Sequence, residues 1–323
     1  MDMTKIKWGI IGLGDIAHGF AKAFTIEDAE LTAVASRNLQ KAQEFATNYG
    51  VPKAYGNYES ICFDPDIDII YIATPNSYHA EHIKLALTAG KHVFCEKAMV
   101  MDASEFKEVH DLAQEKNLIL AEAMTIYHMP LYRTLKSRID SGEFGQLKMV
   151  NAMFGSLKDA DPTNRFFAKE LGGGALLDVG VYALSFVRFF LSSQPTELQT
   201  LAKLYETGVD EMSTIQMRND HDELSSVTLS FRGKMPKQGV IVCENAFITV
   251  LDYPRADTAL ITYADGKTET AQAGDKTTAM TYELDSLTQT LLNQENQSYI
   301  TLTKDVTDLM DQSAKSWGMD LTH

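Results

Sequence analysis

The sequence predicts an α/β protein in two parts. Residues 1–123 read as a parallel sheet with crossover helices, and residues 124–323 as an α+β part with a large, open, mainly antiparallel sheet. Three observations carry this. Short apolar runs alternate with helix-period segments through the first third, which is the pattern of βαβ units. Past Met124 the alternation stops, and long runs of strand propensity such as 226–231 and 246–250 take over. A chain of 323 residues is long enough for two domains at about 150 residues each.

The elements follow in order. Lys7-Trp8-Gly9-Ile10-Ile11 is a short apolar strand closed by Gly12, and Ile16, Phe20 and Ala23 recur at helical spacing behind it. Residues 31–35 are a second buried strand, and a helix over about 39–48 ends at Gly50 and Pro52. The run 67–73 is a third strand, terminated by Thr74-Pro75-Asn76. A helix over about 78–89 then stops at Gly90. Residues 92–95 add a strand, Asp102 and Glu105 have capping-box spacing for a helix to about Lys116, and 118–121 add another strand. In the second part the pattern predicts a helix over 130–141, stopped by Gly142 and Gly145, and a strand over 147–154. A strongly apolar helix over 176–191 follows, Asp265-Gly266 marks a turn among the later strands, and helices over 281–293 and 303–316 close the chain. An open sheet of this size has an outer face to cover, and a homodimer through the C-terminal sheet is the expectation.

Composition narrows the function. Apolar residues make up 45% and charged residues 23%, an ordinary globular balance. Lys and Arg total 29 against 44 Asp and Glu, a formal charge of −15. Such a surface repels phosphate backbones and anionic membranes, and no Lys/Arg run offsets it, so neither nucleic acid nor membrane is an expected partner. An anionic small ligand stays allowed, since one or two arginines can hold it locally. No stretch approaches the ~18 uninterrupted apolar residues of a membrane span. Cys62, Cys95 and Cys243 are odd in number and lack metal-ligand spacing. A reducing, cytoplasmic setting without a metal is therefore expected. The N-terminus leads straight into a strand rather than a signal sequence.

Gly12-Leu13-Gly14-Asp15-Ile16-Ala17 fits G-x-G-x-x-[GA]. Gly12 allows the tight strand-to-helix turn, Gly14 lets a pyrophosphate approach the backbone, and Ala17 permits close helix–strand packing. The helix start, at Asp15 and Ile16, offers amide donors to the anion. The motif follows a strand and opens a helix, the context of a Rossmann dinucleotide site. The second strand ends at Ala35-Ser36-Arg37, where an NAD site usually carries Asp or Glu for the ribose 2′-hydroxyl. Ser36 can donate to a 2′-phosphate and Arg37 can pair with it, with Lys41 on the same helix face. One charge-assisted bond is worth roughly 1.5–3 kcal/mol, a factor of about ten to a hundred or more. NADP is the expected cofactor, with NAD also possible.

Ala73-Thr74-Pro75-Asn76-Ser77-Tyr78-His79, then Glu96-Lys97, then Gly172-Gly173-Gly174-Ala175-Leu176-Leu177-Asp178-Val179-Gly180-Val181-Tyr182 complete a set. With the N-terminal glycines it resembles the Gfo/Idh/MocA oxidoreductase family, nearest its dihydrodiol dehydrogenase and glucose–fructose oxidoreductase branches. The resemblance covers essentially the whole chain. It implies an N-terminal Rossmann domain, a C-terminal open-sheet domain and a nicotinamide cofactor. It also implies Thr74 and Asn76 near the nicotinamide ribose, Glu96 and Lys97 beside the nicotinamide, and His79 ordering that loop. The family usually has Pro after Glu-Lys, often behind a cis peptide. This chain has Ala98, which leaves both isomers open.

The chemistry implied is hydride transfer with a matching proton donor or base. Tyr182 stands where the family often has His. A phenol titrates near ~10, and an adjacent ammonium, from Lys97, favours the phenolate. Lys97 as the proton carrier itself is the other assignment. Asp178, four residues before Tyr182, shares its helix face and can accept from a substrate hydroxyl or orient Lys97. His79 and His82 have i, i+3 spacing without a completing ligand and read as structural. Glu122 falls at a strand's carboxyl end, and Tyr127, His128 and Arg165 fall in segments that could border a cleft, Tyr127 and Arg165 as candidate substrate contacts. The reading is an NADP-dependent dehydrogenase or reductase of a polyol, sugar, or vicinal-diol or carbonyl small molecule. A nucleotide-binding sensor that turns nothing over would keep the glycine loop and can lose the proton donor. Joint retention of Lys97, Asp178 and Tyr182 favours catalysis.

Overall fold

A computed structural model describes residues 5–293 and 296–321. The chain forms two compact units. One takes the chain through Ala123 together with Met280–Ile300; the other takes Met124–Ala279 and the chain from Thr301 onward.

The first unit holds strands β1 (Ile6–Ile11), β2 (Ala29–Ala35), β3 (Lys53–Tyr55), β4 (Ile69–Ile72), β5 (His92–Glu96) and β6 (Leu120–Ala123). They form one sheet in the order β3-β2-β1-β4-β5-β6, with every pairing parallel. Helices α1 (Asp15–Ala21), α2 (Leu39–Tyr49), α3 (Tyr58–Cys62), α4 (His79–Thr88) and α5 (Ala103–Glu115) connect them. The strand pleat divides the side chains into two cores. Trp8, Ile10, Phe20, Tyr71 and Phe94 belong to one; Ile11, Ile70, Ile72 and Val93 belong to the other. Burial on both faces is why β4 reads as an unbroken apolar run. The predicted capping box forms: the Asp102 side chain accepts from Glu105 N at 2.8 Å, and Glu105 returns to accept from Met101 N at 2.8 Å.

Two features differ from the sequence reading. The β3–α3 excursion was not expected, because a three-residue strand is too short to show a period. The sequence reading places a helix over 281–293 in the second part; the helix runs Ala279–Asn293, and its Leu284 and Leu287 are fully buried in the core of Trp8 and Phe20.

The second unit opens with α6 (Thr125–His128) and α7 (Pro130–Asp140). Its strands are β7 (Leu147–Gly155), β8 (Pro195–Leu204), β9 (Asp210–Asn219), β10 (Leu224–Ser230), β11 (Gln238–Cys243), β12 (Ala246–Leu251), β13 (Thr258–Tyr263) and β14 (Thr268–Gln272). They make one eight-stranded sheet in the order β14-β13-β12-β11-β7-β10-β9-β8. β7 and β10 pair parallel, and the other neighbours pair antiparallel. The inner face packs on α8 (Val181–Phe190). A Cβ at Gly239 of β11 would lie 2.3 Å from the Phe186 ring, so that strand is bare where the helix presses closest. The outer face carries Val240 and Val242 beside Phe247, Leu251 and Leu260, the last three 42%, 60% and 45% exposed. That is an apolar surface on the open side of the sheet.

The predicted helix over 176–191 is regular only from Val181. Leu176–Gly180 winds as a π-helical turn, with Val181 N bonded to Leu176 O. The helical stretch Lys169–Phe190 is apolar enough by composition to cross a membrane, yet 83% of its most apolar window is buried inside the structure. It is the unit's core helix.

Candidate active site

The glycine loop sits at the end of β1. Gly12 has φ +83°, and a Cβ there would lie 2.6 Å from the Ala73 carbonyl and 2.7 Å from Thr74 N. Gly14 caps α1. A Cβ on it would meet nothing within 4 Å, so the space before its backbone is open. Asp15 is exposed, Ile16 is half-buried and Ala17 is fully buried against the sheet.

The loops after β2, β3 and β4 surround a cavity of about 260 Å³ lined by Arg37, Asn57, Tyr58, Thr74, Tyr78 and His82 among others. Ser36 is buried, and its hydroxyl oxygen accepts from Asn38 N at 3.2 Å, which leaves the O–H free to donate elsewhere. Arg37 is exposed and lies against the Tyr58 hydroxyl. Burial pushes the Tyr58 pKa up, and the Arg37 guanidinium opposes it. Arg37 precedes the helix cap Asn38, so it does not share a helix face with Lys41 by the i, i+4 relation of a continuous helix; the exposed Lys41 stands in the first turn of α2.

Thr74 and His79 tie loops together. The Thr74 hydroxyl bonds His82 Nδ1 at 2.9 Å. The fully buried His79 ring contacts Thr74 O through Nε2 at 2.8 Å and Ala98 O through Nδ1 at 2.9 Å. Burial pushes its pKa down to about 4, against the pull of the carbonyls, so at neutral pH the ring carries one N–H and donates to one of the two carbonyls at a time. Asn76 begins the short 3-10 turn Asn76–Tyr78. The Lys97–Ala98 peptide is cis. Glu96 accepts a hydrogen bond from the buried Tyr71 hydroxyl, and its other oxygen accepts from Lys97 N at 3.3 Å. Glu122, 2% exposed on β6, accepts from Met99 N at 3.0 Å. Residues 97–99 are thus held from α4, β5 and β6.

In the second unit Asp178 lies in the π-turn and Tyr182 in the first turn of α8. The extra residue in that turn moves the pair off the register of a regular helix. Arg165 Nη1 reaches Asp178 Oδ1 at 3.7 Å, and its guanidinium covers the Phe166 ring at 4.3 Å. The Tyr182 ring is 6.2 Å from that of Phe154. Tyr127 is fully buried, and its hydroxyl donates to Ser185 Oγ at 3.1 Å, a packing position. His128 is buried as well, which pushes its pKa down to about 3. Sequence reasoning passed over Asp210, whose carboxylate oxygens both lie 3.0 Å from Leu176 N. It sits in Val209-Asp210-Glu211, which reads as an acidic strand start.

A parallel sheet in the order 3-2-1-4-5-6, with a bare glycine turn after its central strand, defines a dinucleotide-binding Rossmann fold. Residues 6–124 match the oxidoreductase family with NAD-binding Rossmann fold, GFO_IDH_MocA, and residues 132–249 match a GFO/IDH/MocA C-terminal domain. The chain belongs to the Gfo/Idh/MocA family and is an NAD(P)-dependent oxidoreductase. It is 31% identical to the trans-1,2-dihydrobenzene-1,2-diol dehydrogenase of Xenopus tropicalis over 97% of this chain and 98% of the relative. The enzyme of that name from Bos taurus is 32% identical over 81% of this chain and 79% of its own. In fold it is similar to a levoglucosan dehydrogenase solved with NADH and levoglucosan (TM-score 0.86, 21% identity, 98% of each chain). It is also similar to KijD10, a 3-ketoreductase from Actinomadura kijaniata solved with NADP and TDP-benzene (TM-score 0.84, 22% identity, 97% of this chain and 98% of that one).

The chain's own residues fit the nicotinamide dinucleotide: the Gly14 backbone is open to a pyrophosphate, and a cavity with a guanidinium at its edge lies between the neighbouring loops. The two glycines therefore separate in their effects. Gly14→Val, with nothing to strike, is expected to keep the melting temperature and lower dinucleotide affinity at least tenfold in a fluorescence titration. Gly12→Ala is expected to cost roughly 1–3 kcal/mol of stability in urea unfolding. Unchanged affinity in the first variant would remove Gly14 from the pyrophosphate site.

Proposed function

We propose that this chain is an NADP-preferring dehydrogenase or reductase working at a CH–OH or carbonyl carbon of a sugar-like or vicinal-diol molecule. One observation carries the reading. A phenol and a carboxylate, Tyr182 and Asp178, sit on one helix start beside Phe154 and Arg165. The chain that presents them aligns nearly end to end with a dehydrogenase of a vicinal diol.

The bound nicotinamide supplies the hydride couple. In the oxidative direction the substrate's C–H leaves with its electron pair and its O–H proton passes to the Tyr182 oxygen; reduction reverses both. The Lys97 ammonium favours the phenolate form of Tyr182. Asp178 accepts from a neighbouring substrate hydroxyl, and Arg165, 3.7 Å away, holds the carboxylate in place. At the other end of the cofactor, Ser36 and Arg37 receive a 2′-phosphate where an NAD site has an acid. The outer face of the second unit's sheet seats a second copy, which buries Val242, Phe247 and Leu251.

Three results are expected. Tyr182→Phe loses kcat by about 10²–10⁴, the usual share of acid–base catalysis, while NADPH affinity stays within twofold; retained turnover would strip Tyr182 of its role. Arg37→Gln weakens NADP binding by about ten- to a hundredfold, one charge-assisted bond, and leaves NAD binding unchanged; equal losses for both cofactors would defeat the 2′-phosphate assignment. Light scattering gives the wild type twice the chain mass and Val242→Lys the single mass; a monomeric wild type ends the dimer proposal.

A further inference from the structure

We propose that Asp210 is a positioning residue: its buried carboxylate fixes the start of the helix that presents Asp178 and Tyr182, and turnover depends on that hold. The inference rests on the reading of those two side chains as reacting groups.

Asp210 opens β9 and is 0% exposed. Both carboxylate oxygens lie 3.0 Å from Leu176 N, Ala175 N–H also donates to it, and Ser213 Oγ is 3.4 Å away. None of the ion pairs among the described residues includes Asp210. Its neighbour Glu211 is the one with counter-ions, Lys203 at 2.6 Å and Arg232 at 3.3 Å. The strand therefore begins with two carboxylates treated in opposite ways. One is paired with cations, and the other is spent on backbone N–H groups at a helix start, where an anion is best received.

The glycine run before the helix is shaped by this contact. Gly174 has φ +114°, and a Cβ on it would sit 2.6 Å from Asp210 Oδ1. A side chain there would push the carboxylate off the helix. Leu176 begins the π-turn, Asp178 lies two residues on, and Tyr182 opens α8. An anchor at Leu176 N sets the height and rotation of both. Glu211, paired with Lys203 and Arg232, follows Asp210 on the strand, and Asp178, paired with Arg165, follows Leu176 on the helix side.

A buried carboxylate without a counter-ion is costly. Burial raises the Asp210 pKa from its ordinary carboxylate value to about 6. Because folding raises this pKa, the folded state favours the protonated form, and stability falls as pH rises through about 6. At pH 7.5 the charge is a burden on the fold. A residue kept only for structure would be served as well by Asn, which carries no charge and still offers one acceptor.

The test compares Asp210→Asn, Asp210→Ala and Tyr182→Phe with the wild type, each loaded with NADPH. Asp210→Asn is expected to melt at or above the wild-type temperature at pH 7.5. It should bind NADPH within twofold of wild type and lose at least tenfold in kcat with KM within threefold. Asp210→Ala, with no acceptor, loses more; if it fails to fold, the Asn variant still decides. Wild-type kcat also falls reversibly below about pH 6 as Asp210 protonates, and the Asn variant lacks that limb. A merely structural role spares kcat and leaves the acid limb unchanged. Asp210→Asn with wild-type kcat and an unchanged acid limb overturns the proposal. If Tyr182→Phe is inactive in that case, only the positioning claim falls; if Tyr182→Phe turns over normally, the reading of Tyr182 falls by itself.

Discussion

The end of β1 touches the end of β4, and that contact sets up the cofactor end of the molecule. Only a residue without a Cβ stands at Gly12 without displacing its neighbours, because the Ala73 carbonyl occupies the place where one would be. The chain must therefore turn there, at the point where strand order reverses around β1. Three consequences follow from this one steric fact. Gly14 is carried out into open space at the cap of α1. The β2 and β4 loops, with Arg37 and Thr74, come to line one cavity. Thr74 is placed to anchor His79, which in turn reaches Ala98.

The two candidate reacting groups are mounted by different means. Lys97 rides on a loop held through its backbone: His79 to Ala98 O, Glu122 to Met99 N, and Cys95 Sγ to Met99 O at 3.9 Å. A net hydrogen bond is worth about 0.5–1.5 kcal/mol, but a buried group left unsatisfied costs about 1–3 kcal/mol. The loop is therefore held less by what its bonds add than by what breaking them would cost in a buried place. Tyr182 stands instead on a rigid helix, and one carboxylate at the helix start controls its placement.

Much of this was legible in the chain. The glycine motif, the missing acid after β2 and the Asp102–Glu105 box each depend on residues close in sequence, and local chemistry decides them. What escaped detection depends on distant partners. Lys53–Tyr55 is a strand only because β2 lies beside it. The helix Ala279–Asn293 carries an amphipathic pattern, but no local signal says that its leucines meet Trp8. The π-turn at Leu176 and the task of Asp210 belong together: a strand 34 residues on supplies the anchor, and in the sequence that anchor is one more acid in an acidic protein. Tyr127, expected in a segment that could border a cleft, is buried with its ring against Phe189, a packing that only the distant helix α8 supplies.

That acidity bears on how a dinucleotide is held. A formal charge of −15 sets a far field that opposes a polyanionic cofactor. Salt screens such a field over about 10 Å at 0.1 M, so the distant carboxylates slow encounter more than they weaken the bound state. Affinity is decided within a few ångströms, where Arg37 edges the cavity and Gly14 exposes the backbone at the helix cap. At that range a single guanidinium outweighs any one remote acid, because Coulomb energy falls with distance and with the dielectric between the charges, although Glu59 and Glu81 line the same cavity and act at the same range. The same logic would let an exposed Arg37 carry the selectivity proposed for it. In that proposal it needs no burial to discriminate a 2′-phosphate from a hydroxyl, because Ser36 rather than a carboxylate follows β2.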